Sequence, residues 1–148
     1  MPNIATNKRA HFDYEILEHF EAGLVLTGME VKSVKTGHIS LKGSFVTRKD
    51  NELYLTNASI PLYKFAGEVK NYDPTRPRKI LLKKSEIKSL IGKMAVQGLT
   101  LVPISVYTKK RLLKLEFGVG KGKKKFDKRN DITKKEVKRK IERTLKNF

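Results

Sequence analysis

Between Gly120 and Phe148 the chain carries thirteen Lys and Arg against four acids, Asp127, Asp131, Glu136 and Glu142. Few apolar residues interrupt them. Such a stretch cannot remove enough apolar surface from water to offset the entropy of ordering itself. It predicts a basic C-terminal tail, residues 121–148, that is disordered alone and ordered by an acidic partner. The folded body is thereby confined to residues 1–120, which suffice for a core. The tail's net charge is +9, half of the chain's +18, so the body keeps the other +9. Charge on both parts predicts a polyanion that touches both. Nucleic acid fits better than an anionic membrane, because the tail has few large apolar anchors and no Trp.

Several chemistries are excluded at this level. The chain has no Cys, so it has neither disulfides nor thiolate metal ligands. His11, His19 and His38 are scattered and make no metal site. No cofactor is implied. The run GVGKGKKK lacks the spacing of a P-loop. No nucleophile, base and orienting acid can be assembled, and no enzyme or small-molecule substrate is expected. A metal-dependent nuclease using Asp13, Glu15 and Glu18 has nothing to favour it over an exposed acidic strand face. No apolar run approaches the roughly 20 residues of a membrane span. MPNIATNKRAHFDYE lacks the apolar core of a signal peptide, which predicts a cytoplasmic protein.

The body reads as mainly β. Alternation from His11 to Thr27 predicts a long strand, bent or bulged at Gly23, that suits the corner of a small barrel; a helix from Tyr14 to Phe20 is the alternative. Gly28 to Gly37 predicts a short helix with Val31 and Val34 inward and Gly37 as its cap. Residues 39–48 and 52–59 predict a hairpin turning at Asp50 and Asn51. Residues 60–71, with Pro61, Tyr63, Phe65 and Gly67, read as an irregular loop with room for a single helical turn. Ser85 to Gln97 is the clearest helix, with Ser85 as N-cap and Ile87, Leu90, Ile91 and Met94 on one face. Leu99 to Tyr107 and Leu112 to Val119 predict a second hairpin. Gly118, Gly120 and Gly122 are expected to loosen the chain as it leaves the sheet.

The candidate RNA-binding residues follow from charge and backbone stiffness. Asn7, Lys8 and Arg9 place two cations beside an amide, although composition alone favours a solvated N-terminus. Pro74 and Pro77 hold YDPTRPRK extended. Arg76, Arg78 and Lys79 on that stiffened backbone suit phosphate binding. Lys32 and the root of the tail, Lys121, Lys123 and Lys124, add charge. Glu30 lies among lysines. It is either an ordinary surface partner of Lys32 or Lys35, or an acceptor for base amino groups or a group that positions neighbouring lysines. In the tail, Thr133 and Glu136 have capping-box spacing, and Val137, Ile141, Leu145 and Phe148 form one narrow apolar stripe. Like charge on the other faces makes that helix marginal until phosphates neutralise it.

The segments IATNKRAHFDYEILEHFEAGLVLTGMEVKSVKTG, DPTRPRKILL, LIGK, GLTLVP and GKKKFDKR occur in this order and span essentially the whole chain. They resemble the SmpB family, the small bacterial proteins that bind transfer-messenger RNA (tmRNA, or SsrA). The resemblance implies a closed antiparallel barrel of OB-fold character with flanking short helices. It implies binding of the tRNA-like domain of tmRNA and its delivery to stalled ribosomes for trans-translation. The family's RNA-binding glutamate falls on Glu30 and its N-terminal basic–amide motif on Asn7, Lys8 and Arg9. In the family the tail enters the empty mRNA channel by the small-subunit decoding region; Asp127, Lys128 and Arg129 match its start. The chain departs from the family's usual residues at Met29, where Thr is usual, and at Phe126, where His or Tyr is common. Of the family's late apolar pair in the tail, only Leu145 is strongly apolar here. The residues alone also admit a ribosomal or ribosome-assembly protein and, less well, a general single-strand binder, whose aromatics should line one strand face.

Overall fold

The structure, a computed structural model, describes residues 3–123 together with Arg129, Ile132 and residues 135–141. In chain order its named elements are β1 (Asn3–Thr6), α1 (Ala10–Asp13), β2 (Tyr14–Leu24), α2 (Gly28–Lys35), β3 (Phe45–Lys49), β4 (Glu52–Thr56), β5 (Arg78–Leu81), α3 (Lys84–Met94), β6 (Leu99–Lys109) and β7 (Leu112–Gly122). The alternation of Leu115, Phe117 and Val119 with smaller or polar residues sets one buried face of β7. That strand is paired on both edges, by β6 and by β2. The full order is β1-β6-β7-β2-β5-β4-β3, antiparallel throughout. Leu53 and Leu55 of β4, Ile80 of β5, Val34 of α2 and Leu90 of α3 pack into the same core, and Phe20 stacks on Phe117 with ring centroids 5.6 Å apart.

The protein is therefore a mainly β antiparallel sheet with a few short helices, and the expected closure of the barrel does not occur. β1 and β3 are free ends of the sheet. Closure fails because β1 is only four residues long and is followed at once by Asn7 and α1. A cleft lies between residues 4–9 and residues 39–42, the segment that leads to β3. The polar N-terminus is not merely solvated, since Asn3, Ala5 and Thr6 pair with β6.

Other local expectations shift for identifiable reasons. Residues 10–13 make one helical turn before the strand begins at Tyr14. The register break in β2 falls between Ile16 and Glu18, leaving Leu17 as the extra residue, and not at Gly23. Gly23 is where β5 joins the second edge of β2. Helix α3 starts from Lys83, which makes no side-chain cap, so Ser85 lies inside the helix. Gly118 and Gly120 do not loosen an exit. A Cβ on Gly118 would lie 2.6 Å from the Glu18 carbonyl oxygen, and one on Gly120 2.9 Å from Val102 Cγ2. Both glycines let two neighbouring strands approach β7, which runs on to Gly122 before the tail departs. Lys110 and Arg111 turn the β6–β7 hairpin with φ of 51° and 68°, the left-handed pair that a two-residue turn requires.

Candidate nucleic-acid interface

Helix α2 begins with a reciprocal cap. Thr27 Oγ1 accepts from the Glu30 amide at 3.2 Å, and Glu30 Oε1 accepts from the Thr27 amide at 2.9 Å. The cap folds the Glu30 side chain back and inward, where it is 1% exposed. Two arginines meet it there. Arg76 donates to Oε1 at 2.5 Å, and Arg78 donates through Nε to Oε2 at 2.7 Å. The Arg78 guanidinium also donates to the carbonyls of Ala58 at 2.7 Å and Pro74 at 3.1 Å. Burial pushes the Glu30 carboxyl up, but the Thr27 amide, the two guanidinium hydrogen bonds and the Arg78 charge together outweigh it and hold the group below its ordinary value. Burial and the Glu30 charge push the nearby Tyr72 hydroxyl up, and it donates to the Ile60 carbonyl at 2.5 Å.

This geometry corrects two readings. Glu30 is not a surface partner of Lys32 or Lys35; its oxygens are occupied inside the protein and face no solvent. Arg78 is 0% exposed and does not project towards a phosphate. Arg76, whose side chain is 42% exposed, is the cation that the cluster presents. Lys79 points from the opposite face of β5 and pairs with Glu52 at 3.4 Å. The positions 76, 78 and 79 thus do three different jobs.

A second basic group gathers at the N-terminal end. Asn7 donates from Nδ2 to the Pro103 carbonyl at 2.9 Å and from its amide to Ile104 at 2.7 Å, which fastens the segment to β6. Lys8 is exposed beside it. Arg9 pairs with Asp13 at 3.1 Å and lies 4.5 Å from the centroid of the Phe12 ring. Lys123 donates from its amide to Asp13 and from Nζ to the His11 carbonyl at 2.7 Å. Lys135, in the helical run of residues 135–141, is 6.0 Å from the same Phe12 ring. The sequence motif at 7–9 and the root of the tail therefore share one surface, to which Lys121 adds an exposed cation. Arg129 has helical backbone. Lys124, Phe126, Asp127, Lys128 and Leu145, like Thr133 and Phe148, lie outside the described residues.

The acidic trio is dispersed into other roles, with Asp13 on Arg9 and Glu18 on Lys93. Among the described residues no group of His, Asp and Glu could hold a metal ion, and no helix is long and apolar enough to cross a membrane. Sequence reasoning overlooked the Thr27–Glu30 box, although its T-x-x-E signal stands in plain view. It gave no role to the loop aromatics Tyr63 and Phe65, which meet edge to face beside Lys32 and Lys64.

Comparison with known proteins places these residues in context. Residues 4–147 match the family model described as SmpB protein. The chain is 50% identical over 147 residues to the SsrA-binding protein of Thermosipho africanus, covering 99% of this chain and 98% of that one. It is 47% identical over 143 residues to the SsrA-binding protein of Chloroflexus aggregans, covering 97% and 90%. Among solved structures it is similar to a chain described under "tmRNA-SmpB: a journey to the center of the bacterial ribosome", with a TM-score of 0.66 and 47% identity over 81% of this chain and 84% of that one.

Proposed function

This chain belongs to the SmpB family, and from that membership we propose how its parts divide the work. The protein binds tmRNA and delivers it to stalled ribosomes in trans-translation, and the family is one of RNA-binding proteins rather than enzymes. Its partners are tmRNA and the ribosome. We place it in the cytoplasm, where that encounter takes place.

In our reading the body, through its two basic surfaces, holds the tRNA-like domain. Glu30 contributes by anchoring Arg76, not by touching a base. Asn7 contributes by fastening the segment that presents Lys8 and Arg9. The tail, from Phe126, Asp127, Lys128 and Arg129 to Leu145, enters the mRNA channel by the decoding region and reports that no codon is there. The observation that supports the tail's inclusion is the extent of the family match, which runs past the sheet to residue 147.

The test separates carrying from reporting. Proline at Lys138 falls inside the helical run of residues 135–141 and costs a helix about 3 kcal/mol. The Lys138→Pro variant is expected to bind the tRNA-like domain as wild type does and to fail in peptide tagging on stalled ribosomes. A chain ending at Lys123, which keeps all of β7 and both Lys123 hydrogen bonds, should behave the same way. Normal tagging by the proline variant would mean that the tail works as an extended basic strand. Loss of RNA binding by the truncated chain would overturn the division itself.

A further inference from the structure

The loop between β4 and β5 presents the most exposed large apolar side chain among the described residues, Phe65, at 75%. Its position is organised. The Ala66 amide donates to the Tyr63 carbonyl at 3.0 Å, making a tight turn at the tip. Ser33 donates to the Pro61 carbonyl at 2.8 Å and ties the base of the loop to α2. Tyr63 meets Phe65 edge to face, with centroids 5.6 Å apart and rings inclined at 70°. Lys32 lies 5.8 Å from the Tyr63 centroid and Lys64 5.5 Å from that of Phe65. An exposed ring is ordinarily a cost in water. Here it has a perpendicular ring as its neighbour, and each ring of the pair has an ammonium group beside it, Lys64 at Phe65 and Lys32 at Tyr63.

We propose that Phe65 is a stacking platform for an unpaired base of the bound RNA, with Lys32 and Lys64 holding the phosphates on either side of it. The inference rests on the tmRNA reading above and names a contact within it. The occupant must be both planar and anionic, because the site joins an open aromatic face to flanking cations. Every base has such a face, and unpaired bases of folded RNA are the ones free to stack on protein aromatics. An apolar protein partner would satisfy the ring but leave both lysines without a counter-charge.

The experiment uses the full chain and the tRNA-like domain of tmRNA. Phe65 is a surface position, so its substitution leaves the fold intact. Phe65→Leu is expected to weaken binding by about 5- to 150-fold. The salt dependence should keep its slope, because no cation is removed. Phe65→Trp should bind as wild type does. The chain has no other Trp, so the variant's indole emission reports the site alone, and RNA should quench it. Wild-type affinity in Phe65→Leu, or an unquenched indole at saturating RNA, would overturn the platform. Quenching by ribosomal subunits but not by this RNA would overturn it too, and give the ring to another surface. Failure of wild type to bind the tRNA-like domain would instead overturn the function on which the platform rests.

Discussion

Glu30→Ala is expected to lower the stability of the chain by about 3–5 kcal/mol, read as a fall in the urea midpoint. The sequence suggests a milder outcome, an intact fold whose RNA binding weakens by about 1–3 kcal/mol. Burial decides between the two. Glu30 is 1% exposed and Arg78 0%, so removing the carboxylate leaves a guanidinium charge enclosed without its counter-ion. RNA affinity should fall as well, since Arg76 loses the partner that aims it. Replacing both ends by apolar residues, Glu30→Leu with Arg78→Met, should recover much of the stability but not the affinity. A Glu30→Ala midpoint equal to that of wild type would show that the pair contributes nothing. The pH dependence carries the same signature. The Glu30 carboxyl is held below its ordinary value in the fold, so its contribution is complete above about pH 4.3 and is lost as pH falls through the depressed value. The advantage of wild type over Glu30→Gln should therefore shrink in acid.

Gly118→Val is expected to cost on the order of 3 kcal/mol, because the nearest atom in its way belongs to the backbone and the next two to packed Ile16 and Ile104 side chains. A Cβ there would stand 2.6 Å from the Glu18 carbonyl and 2.7 Å from Ile16 Cγ2. The bulge in β2 brings that carbonyl over β7, so the two strands must part at the seam that also carries Lys121 and Lys123 to the tail. The control is Gly122→Ala on the same strand, where nothing lies within 4 Å of the added Cβ and the change should stay within about 0.5 kcal/mol. Equal midpoints for the two variants would remove the close approach as an explanation.

What could be read in advance was whatever a residue shows through its own neighbours. Period two in Leu53 and Leu55, and in Leu115, Phe117 and Val119, marks β4 and β7. The 3.6 period of Ile87, Leu90, Ile91 and Met94 marks α3. Strand β1 escaped because edge pairing uses the backbone, which polar residues such as Asn3 and Thr6 supply as well as any. The glycines of β7 escaped because what they make room for, Glu18 and Val102, is remote in sequence. Arg78 is the instructive case. It shares strand parity with Ile80 and so faced inward by the same rule that buries Ile80, yet its charge argued for solvent. The carboxylate that resolves the conflict stands 48 residues away, where no local pattern reaches. The family resemblance singled out Glu30 but was silent on its burial.

The strand order also sets a timetable. β1 finds its partner in β6 and β2 finds its long partner in β7, so apart from the short join of Gly23 and Leu24 to β5 the N-terminal strands have their sheet neighbours in residues 99–122. During synthesis the N-terminal strands must wait, unpaired, until almost the whole body has been made. A copy whose translation halts before Leu112 has no strand on which β2 and β6 can lean. Its β3–β4–β5 pairings do not need β7, but the long ladders of β2 and β6 do, and without them those strands stay largely unpaired. The central ladder of the sheet therefore exists only once the chain has been made through Gly122, so a protein that serves at stalled ribosomes is itself translated almost to its tail before its fold is in place.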